Sequence, residues 1–225
     1  MAPISGRLCI VCGERVFTPH GESICGECRM EAPPFVRAVA YGSYDGGLRE
    51  LIHLLKYGRV RPAAGVLGRM LAEVIQGFGS EFESAVVVPV PLHRSKLRQR
   101  GFNQAEEIAR AAVKSLKRDG LTLASGVLER KRATESQTGL SDHQRQENVR
   151  GAFVVAAPEL IKDRDVLLVD DVFTTGATIS ECARLLRRRG ADRVFVATVA
   201  RVLKVEAAWA VPDDGEENRA LTANA

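Results

Sequence analysis

Two adjacent carboxylates and a run of hydroxyl side chains lie close together in the segment VLLVDDVFTTGAT, residues 166–178. The four apolar residues that open it form a continuous run, which predicts a parallel strand covered by helices on both faces. Asp170 and Asp171 would then lie at the carboxyl end of this strand, where open α/β sheets bind ligands. Adjacent carboxylates repel each other unless a cation or hydrogen-bond donors offset their charge. Vicinal hydroxyl groups and a metal ion would do so.

A glycine turn rich in hydroxyl groups follows the two acids. It consists of Thr174, Thr175, Gly176, Ala177 and Thr178. The amphipathic pattern of residues 179–189 predicts a helix next, and a helix N-terminus with free backbone N–H groups favours a phosphate dianion. The simpler alternative is that the acids end a strand and one threonine caps a helix. Capping needs only one such residue, so the whole series predicts a site for a sugar phosphate.

Four cysteines near the amino terminus have the spacing of a metal site. Cys9 and Cys12 form one CxxC pair, Cys25 and Cys28 form a second, and twelve residues separate the pairs. Four thiolates suit tetrahedral zinc and leave no open position for a substrate, so the predicted zinc is structural. Residues 1–33 are too short to bury a core of their own, and a metal or disulfides would be needed to fold them.

Two alternatives to a four-cysteine zinc site remain open, namely disulfides and a site in which His20 replaces one cysteine. No secretory signal or transmembrane run precedes the cysteines, which favours a reducing cytoplasm and therefore zinc. Cys182 is isolated and is predicted to be a small core residue. The composition, 45% hydrophobic and 27% charged, is ordinary, and the net charge of +4 suits a polyphosphate ligand without requiring nucleic acid.

The remaining chain alternates strand-like and helix-like segments that must position these groups. Apolar periodicity predicts strands at 36–44 and 85–90, and helices at 46–57, 63–76 and 105–116. This alternation predicts an α/β fold with a mainly parallel sheet flanked by helices. Residues 34–211 would form this domain, and the acidic tail at 212–225 would be disordered.

The segment 166–178 resembles the phosphoribosyl-diphosphate (PRPP) signature of type I phosphoribosyltransferases, in which a hydrophobic strand, two acids and a TxGxT loop follow one another. Three further features extend the resemblance to the ComF family, also called ComFC or GntX-like. They are the four-cysteine ribbon, the RQRGFNQ segment and the pattern RxTxxQxxLxxxxRxxN that begins at Arg132. Together these features extend from Cys9 to about Arg201. The resemblance implies a type I phosphoribosyltransferase-like domain preceded by a small zinc ribbon.

The resemblance also implies roles for individual residues. Asp170 and Asp171 would bind the ribose 2- and 3-hydroxyls, and the threonine-rich loop would hold the 5-phosphate. The turn at Pro91, stiffened by Pro89, would bind diphosphate, and its X-Pro bonds could be cis. Basic residues that could contact the diphosphate are Arg94, Lys96, Arg98 and Arg100. A solvated basic loop is the alternative for this segment.

Two more segments complete the implied site. Lys56, in the run LIHLLKYG, would lie near a phosphate or else simply end a helix. Residues 130–150 would form a long loop or hairpin, and in the resembled enzymes a mobile loop in this interval closes over the reacting centre. Arg132 and Arg145 would then stabilise the leaving diphosphate. A plain surface loop is the alternative.

The implied activity is magnesium-dependent transfer of a phosphoribosyl group from PRPP to an unidentified acceptor, with release of pyrophosphate. Magnesium with PRPP and structural zinc are the expected cofactors. The ComF family is associated with DNA uptake during natural competence, so the alternative function is a non-catalytic module that binds PRPP or a nucleotide beside a DNA-handling partner. The ribbon could dock a helicase-like partner. Four arginines could contact DNA, namely Arg184, Arg187, Arg188 and Arg189. We expect a cytoplasmic protein without membrane contact, and a homodimer is compatible with the resemblance.

Overall fold

The computed structural model describes residue 4 and residues 6–16, 23–116, 120–133 and 142–204. Its main strands are β1 (Arg37–Ser43), β2 (Ala85–Pro89), β3 (Leu121–Leu123), β6 (Val166–Phe173) and β7 (Val194–Arg201). A separate pair consists of β4 (Leu128–Arg130) and β5 (Phe153–Val155). The main strands form one sheet in the order β1-β7-β6-β2-β3, and all its neighbours are parallel. The predicted α/β class with a mainly parallel sheet is confirmed.

Helices cover both faces of this sheet, which explains the continuous apolar runs of its central strands. The helices α2 (Gly46–Lys56), α3 (Ala63–Gln76) and α5 (Gln104–Leu116) bury their apolar faces against one side. On that side Ile52 and Leu67 belong to the same core as Leu167. The helix α7 (Ala177–Arg188) covers the other side, where Cys182 is a buried core residue.

The turn after β2 lies beside β6, because Pro89 is the register partner of Val169 in the adjacent strand. The basic segment that follows is not a loop. It forms the short helix α4 (Arg94–Arg100), in which the His93 side chain accepts a hydrogen bond from the N–H of Ser95 at 3.3 Å. The described residues contain no cis peptide bond, so the X-Pro bonds of this turn are trans.

The polar segment at 130–150 lies between the strands β4 and β5, which pair antiparallel. Part of it forms the helix α6 (Asp142–Val149), so the expected long loop contains a helix. Three positions of the pattern, Thr134, Gln137 and Leu140, lie outside the described residues, as does the tail at 212–225.

The cysteine-rich segment packs directly on the α/β domain. It contains the helix α1 (Gly26–Met30) and an antiparallel bridge between Leu8 and Arg15. The N–H of Ala38 in β1 donates to the carbonyl of Val11 at 2.7 Å, which fixes the ribbon to the first strand of the sheet. His20 lies outside the described residues.

Candidate functional site

One cavity, about 190 Å³ in volume, lies where β2 ends beside the last residues of β6. Asp170 and Asp171 both line it. The strand continues beyond the two acids to Phe173, and its pairing with β7 continues as well. Asp170 and Asp171 therefore lie on paired backbone, which holds their carboxylates more firmly than a loop would.

Lys56, the last residue of α2, compensates one of these acids. Its Nζ lies 2.7 Å from Oδ2 of Asp171, and the two side chains are 17% and 6% exposed. Burial alone would lower the pKa of Lys56, but attraction to Asp171, and further to Asp170, raises this pKa above its ordinary value. The structure thus places a charged ammonium group in the same cavity as the paired acids.

Asp170 interacts mainly with its neighbour. Its Oδ1 accepts a hydrogen bond from the N–H of Asp171 at 2.8 Å. Burial and the charge of Asp171 raise the pKa of Asp170 to about 8, although Lys56 and Arg130 oppose the rise. Near neutral pH the two acids therefore share less than two full negative charges. A cation or a pair of hydroxyl donors would favour the fully ionised pair.

The phosphate loop, residues 174–178, joins β6 to α7. Thr174, Gly176 and Thr178 line the cavity beside the acids. Thr175 is exposed, and its Oγ1 accepts a hydrogen bond from the N–H of Ala177 at 3.5 Å. Helix α7 begins at Ala177, earlier than the sequence pattern predicted. The loop therefore presents hydroxyl groups and the start of a long helix to one space.

Gly176 is required by the shape of this loop. Its φ is 79°, in the left-handed region that side chains rarely adopt. A Cβ at this position would lie 2.7 Å from Cζ of Phe173. The backbone of the phosphate loop therefore rests directly on the ring that ends β6.

A further cation lies beside the acids. Arg130, at the end of β4, lines the cavity, and burial lowers its pKa while Asp170 opposes that shift. Lys96 of α4 is exposed and is not part of the cavity wall, and partial desolvation together with the charges of Arg130, Arg100 and Lys56 lowers its pKa. Because these cations repel one another, a polyanion beside them would be stabilised.

Sequence reasoning assigned no role to two polar residues of the cavity, Arg130 and Gln104. Arg130 lay at the first position of a segment that was assigned to a loop or hairpin, and Gln104 ended the RQRGFNQ segment just before the predicted helix. Gln104 is buried, lines the cavity and accepts a hydrogen bond from Arg100. The pairing of β4 with β5 brings Arg130 to the site, and no local pattern encodes that pairing.

The predicted diphosphate contacts are only partly brought together. Pro91 lines the cavity with the acids. Arg100 is half-buried, and its guanidinium lies 5.6 Å from the ring centroid of Tyr57. Arg94 and Arg98 are exposed on α4 and are not part of the cavity wall.

The two arginines predicted for the mobile loop differ in what the structure shows. Arg132 Nη2 donates to the carbonyls of Asn148 and Arg150, at 3.0 and 2.8 Å, so it connects the start of this segment to the end of α6. It is not part of the cavity wall. Arg145 belongs to α6, and its side chain lies outside the described part of the chain.

The four predicted metal ligands form one cluster. The sulfur atoms of Cys9, Cys12, Cys25 and Cys28 all lie within 4.8 Å of one another. Zinc with Zn–S bonds of about 2.3 Å places its sulfur ligands roughly 3.8 Å apart. The sulfurs of Cys12 and Cys25 are 3.6 Å apart, and all five cysteines of the chain are free of disulfides. The cluster therefore fits one tetrahedral metal ion.

Backbone hydrogen bonds favour the ionised form of one of these thiols, which is the form that binds a metal. The N–H of Cys25 donates to Sγ of Cys9 at 3.3 Å. Burial opposes ionisation of Cys9, but hydrogen bonds from the backbone at Cys12 and Cys25 lower its pKa to about 7. Burial raises the pKa of Cys12 to about 12. A bound cation would overcome this cost, since coordinated thiols ionise.

A second and larger cavity, about 1230 Å³ in volume, separates the ribbon from α7. It extends from Met30 of the ribbon to Thr174 and Gly176 of the phosphate loop. These two loop residues line both cavities. The phosphate loop thus lies between the candidate site and the cavity that the ribbon lines.

Comparison with known proteins agrees with this arrangement. Residues 70–218 match the phosphoribosyl transferase domain family. The chain is 35% identical over 200 residues to DNA utilization protein YhgH of Escherichia coli (strain K12), which covers 87% of this chain and 85% of that protein. It is 30% identical over 181 residues to competence protein F of Haemophilus influenzae, which covers 79% and 78%.

A solved structure, the glutamine PRPP amidotransferase from B. subtilis complexed with ADP and GMP, aligns with 25% identity and a TM-score of 0.39 over 61% of this chain and 26% of that chain.

The parallel sheet, its site and the domain match define a protein of the phosphoribosyltransferase type. Within that class the chain belongs to the ComF-like family, as the sequence resemblance predicted. Within the described residues, no helix has the length and apolar character needed to span a membrane.

Proposed function

We propose that the chain binds PRPP with magnesium and transfers its phosphoribosyl group to an acceptor, with release of pyrophosphate. One observation carries the proposal: the paired acids, the phosphate loop and two cations, Lys56 and Arg130, line a single cavity. These groups match the three charged or hydroxylated parts of PRPP. The cavity of about 190 Å³ is smaller than the roughly 300 Å³ at which sites for drug-sized ligands begin, so PRPP would extend from it across the phosphate loop.

In this proposal the acids and the loop hold the two ends of the sugar. Asp170 and Asp171 accept hydrogen bonds from the ribose 2- and 3-hydroxyls, and residues 174–178 bind the 5-phosphate at the start of α7. The ribose hydroxyls compete with Lys56 for Asp171. The freed ammonium group of Lys56 is then available to the diphosphate.

The reaction breaks the bond between C1 and the diphosphate oxygen, and the electron pair of that bond leaves with pyrophosphate. A lone pair of the acceptor forms the new bond to C1. Arg130 and Lys96 stabilise the charge that develops on the leaving group, and the two acids stabilise the positive charge that develops on the ribose ring. The proton that the acceptor loses on bonding to C1 passes to the departing pyrophosphate or to water, so neither acid needs to remove it.

The two metals have separate places in the proposal. Carboxylates and phosphates are the oxygen ligands that magnesium prefers, so the acids fit a magnesium–PRPP complex, in which the ion would neutralise the diphosphate. The four cysteines would hold zinc, which leaves no position for substrate because all four ligands come from the protein. The zinc is therefore assigned a structural role.

Isothermal titration with PRPP, with and without magnesium, tests the proposal. The wild-type protein should bind PRPP only with magnesium, and the variant Asp170→Asn, Asp171→Asn should lose binding while remaining folded. Asp165→Asn is a matched control, because Asp165 pairs with Arg193 just before the first residue of β6, at the opposite end of that strand. Unchanged affinity in the double variant would refute the assigned roles of the acids. Once binding is established, pyrophosphate release identifies the acceptor among candidate bases and amines.

A second candidate function is a non-catalytic PRPP-binding module that acts with a DNA-handling partner. The names of the relatives, a DNA utilization protein and a competence protein, favour it. Of the arginines near the end of α7, Arg184 pairs with Glu181 and Arg187 donates to the carbonyl of Asp192. PRPP binding without pyrophosphate release for any acceptor would support this second candidate. Salt-dependent binding of DNA by the isolated chain would show direct contact with DNA, and its absence would leave the handling of DNA to a partner.

A further inference from the structure

Arg201, the last residue of β7, is a buried cation in contact with the cysteine ribbon. Its Nη1 donates to the carbonyl of Cys12 at 2.7 Å, and its Nη2 lies 3.1 Å from Oε2 of Glu14. Arg201 and Glu14 are only 4% and 5% exposed. The other oxygen of Glu14 accepts a hydrogen bond from the N–H of Lys204 at 3.2 Å. A buried ion pair between Arg201 and Glu14 thus joins the end of β7 to the ribbon, next to the metal ligand Cys12.

The same guanidinium also packs on the ring of Phe173, the last residue of β6. Its Cζ lies 4.2 Å from the ring centroid of Phe173, and the buried Phe173 ring also meets Phe35 edge-on at 6.3 Å. Gly176 approaches this ring so closely that a Cβ there would lie 2.7 Å from it. A continuous series of contacts therefore leads from Cys12 through Arg201 and Phe173 to the phosphate loop.

We propose that Arg201 and Phe173 are positioning residues through which the metal-loaded ribbon holds the phosphate loop in its binding conformation. The inference rests on the proposed function for the identity of the ligand, but the mechanical coupling does not depend on that ligand. Without metal, the turn that carries Cys12 and Glu14 loses its fixed geometry, and the buried guanidinium loses the partners that orient it. The Phe173 ring and the phosphate loop that packs on it then become less ordered.

Two measurements report the coupling. The first is amide hydrogen exchange of residues 174–178, which follows the order of the loop without any ligand. The second is PRPP affinity in the presence of magnesium. Loss of preorganisation requires the loop to be ordered on binding, and we expect affinity to fall about tenfold.

The variants Glu14→Gln and Phe173→Leu test the two halves of the contact series without removing the cysteines. Glu27→Gln is the matched control, since Glu27 also belongs to the ribbon but has an exposed side chain that pairs with Lys204 at the surface. Zinc content is measured for each variant, so that loss of metal is separated from loss of the contact. We expect faster exchange in the loop and weaker PRPP binding for both test variants and for zinc-stripped wild-type protein. The Glu27→Gln protein should match wild type.

Combining Glu14→Gln with Phe173→Leu should weaken binding by less than the product of the single effects, because both act on one series of contacts. Exchange in the loop that is unchanged in both single variants would overturn the inference, even if PRPP binds normally. If wild-type protein does not bind PRPP while both variants still accelerate exchange, the coupling stands and the proposed function fails. The two failures are therefore distinguishable.

Discussion

Replacing Lys56 by Met would show how strongly the candidate site depends on its ion pair. Lys56→Met keeps a long apolar stem in place but removes the ammonium group that lies 2.7 Å from Oδ2 of Asp171. The carboxylate of Asp171 would then be buried beside Asp170 without its nearest cation. We expect the protein to remain folded but to become markedly less stable.

The expected magnitude follows from the geometry of the pair. Two unit charges 2.7 Å apart attract by about 6 kcal/mol at an effective dielectric constant of about 20. Desolvation of both charges offsets part of this attraction, and removal of one partner from a buried pair typically costs about 3–5 kcal/mol. Lys56 keeps 17% of its side chain exposed, so water can partly replace it. We therefore expect a loss of about 3 kcal/mol in the free energy of unfolding.

Urea unfolding at pH 7.5, followed by circular dichroism, measures this loss. With a slope of about 2 kcal/mol per molar urea, the midpoint should fall by about 1.5 M. The double variant Lys56→Met, Asp171→Asn should recover most of the stability, because neither charge is then left alone, and it should fail to bind PRPP because it lacks the Asp171 carboxylate. A Lys56→Met protein with an unchanged midpoint would show that the ion pair contributes nothing and would refute this reasoning.

Three further predictions concern the loop, the metal and pH. Gly176→Ala should destabilise the fold by about 1–2 kcal/mol, because alanine must adopt a positive φ against Phe173; thermal unfolding measures the loss, and the variant should also bind PRPP more weakly. Denatured wild-type protein should release one zinc ion per chain to a chromogenic chelator, and Cys28→Ser should release less. Asp170 has a pKa raised to about 8 in the folded protein, against about 3.9 when unfolded. Its contribution to stability is therefore full below pH 4 and is lost as pH rises to 8. Asp170→Asn should remove that slope from urea midpoints measured between pH 5 and 8.

The features that sequence reasoning predicted are encoded by neighbours along the chain. The continuous run before Asp170 predicts a buried parallel strand because both of its faces must be covered, and β6 is that strand. The cysteine spacing predicts one metal cluster because each CxxC pair can direct both sulfurs to the same point, and the four sulfurs do converge. Such patterns need no knowledge of distant parts of the chain.

The features that were missed depend on contacts between distant segments or lack an apolar pattern. Helix α4 buries none of its residues, so no periodicity marks it in the sequence. Its ends are defined instead by the His93 side chain and by Gly101, whose φ is 85°. Arg130 reaches the cavity only after β4 has paired with β5. Arg201 contacts Cys12 only after the ribbon has docked on the sheet.

The paired acids show why a local motif did not describe the whole site. Successive residues of a strand face opposite sides of a sheet. Asp171 pairs with Lys56 of α2, while Asp170, which also interacts with Cys182 of α7, is attracted both to Lys56 and to Arg130 of β4. The cations around the two acids thus come from two different, earlier parts of the chain. A ligand that binds both carboxylates changes the electrostatic interactions of both acids with these cations. Its affinity should therefore respond to substitution of either Lys56 or Arg130, although neither residue lies in the motif.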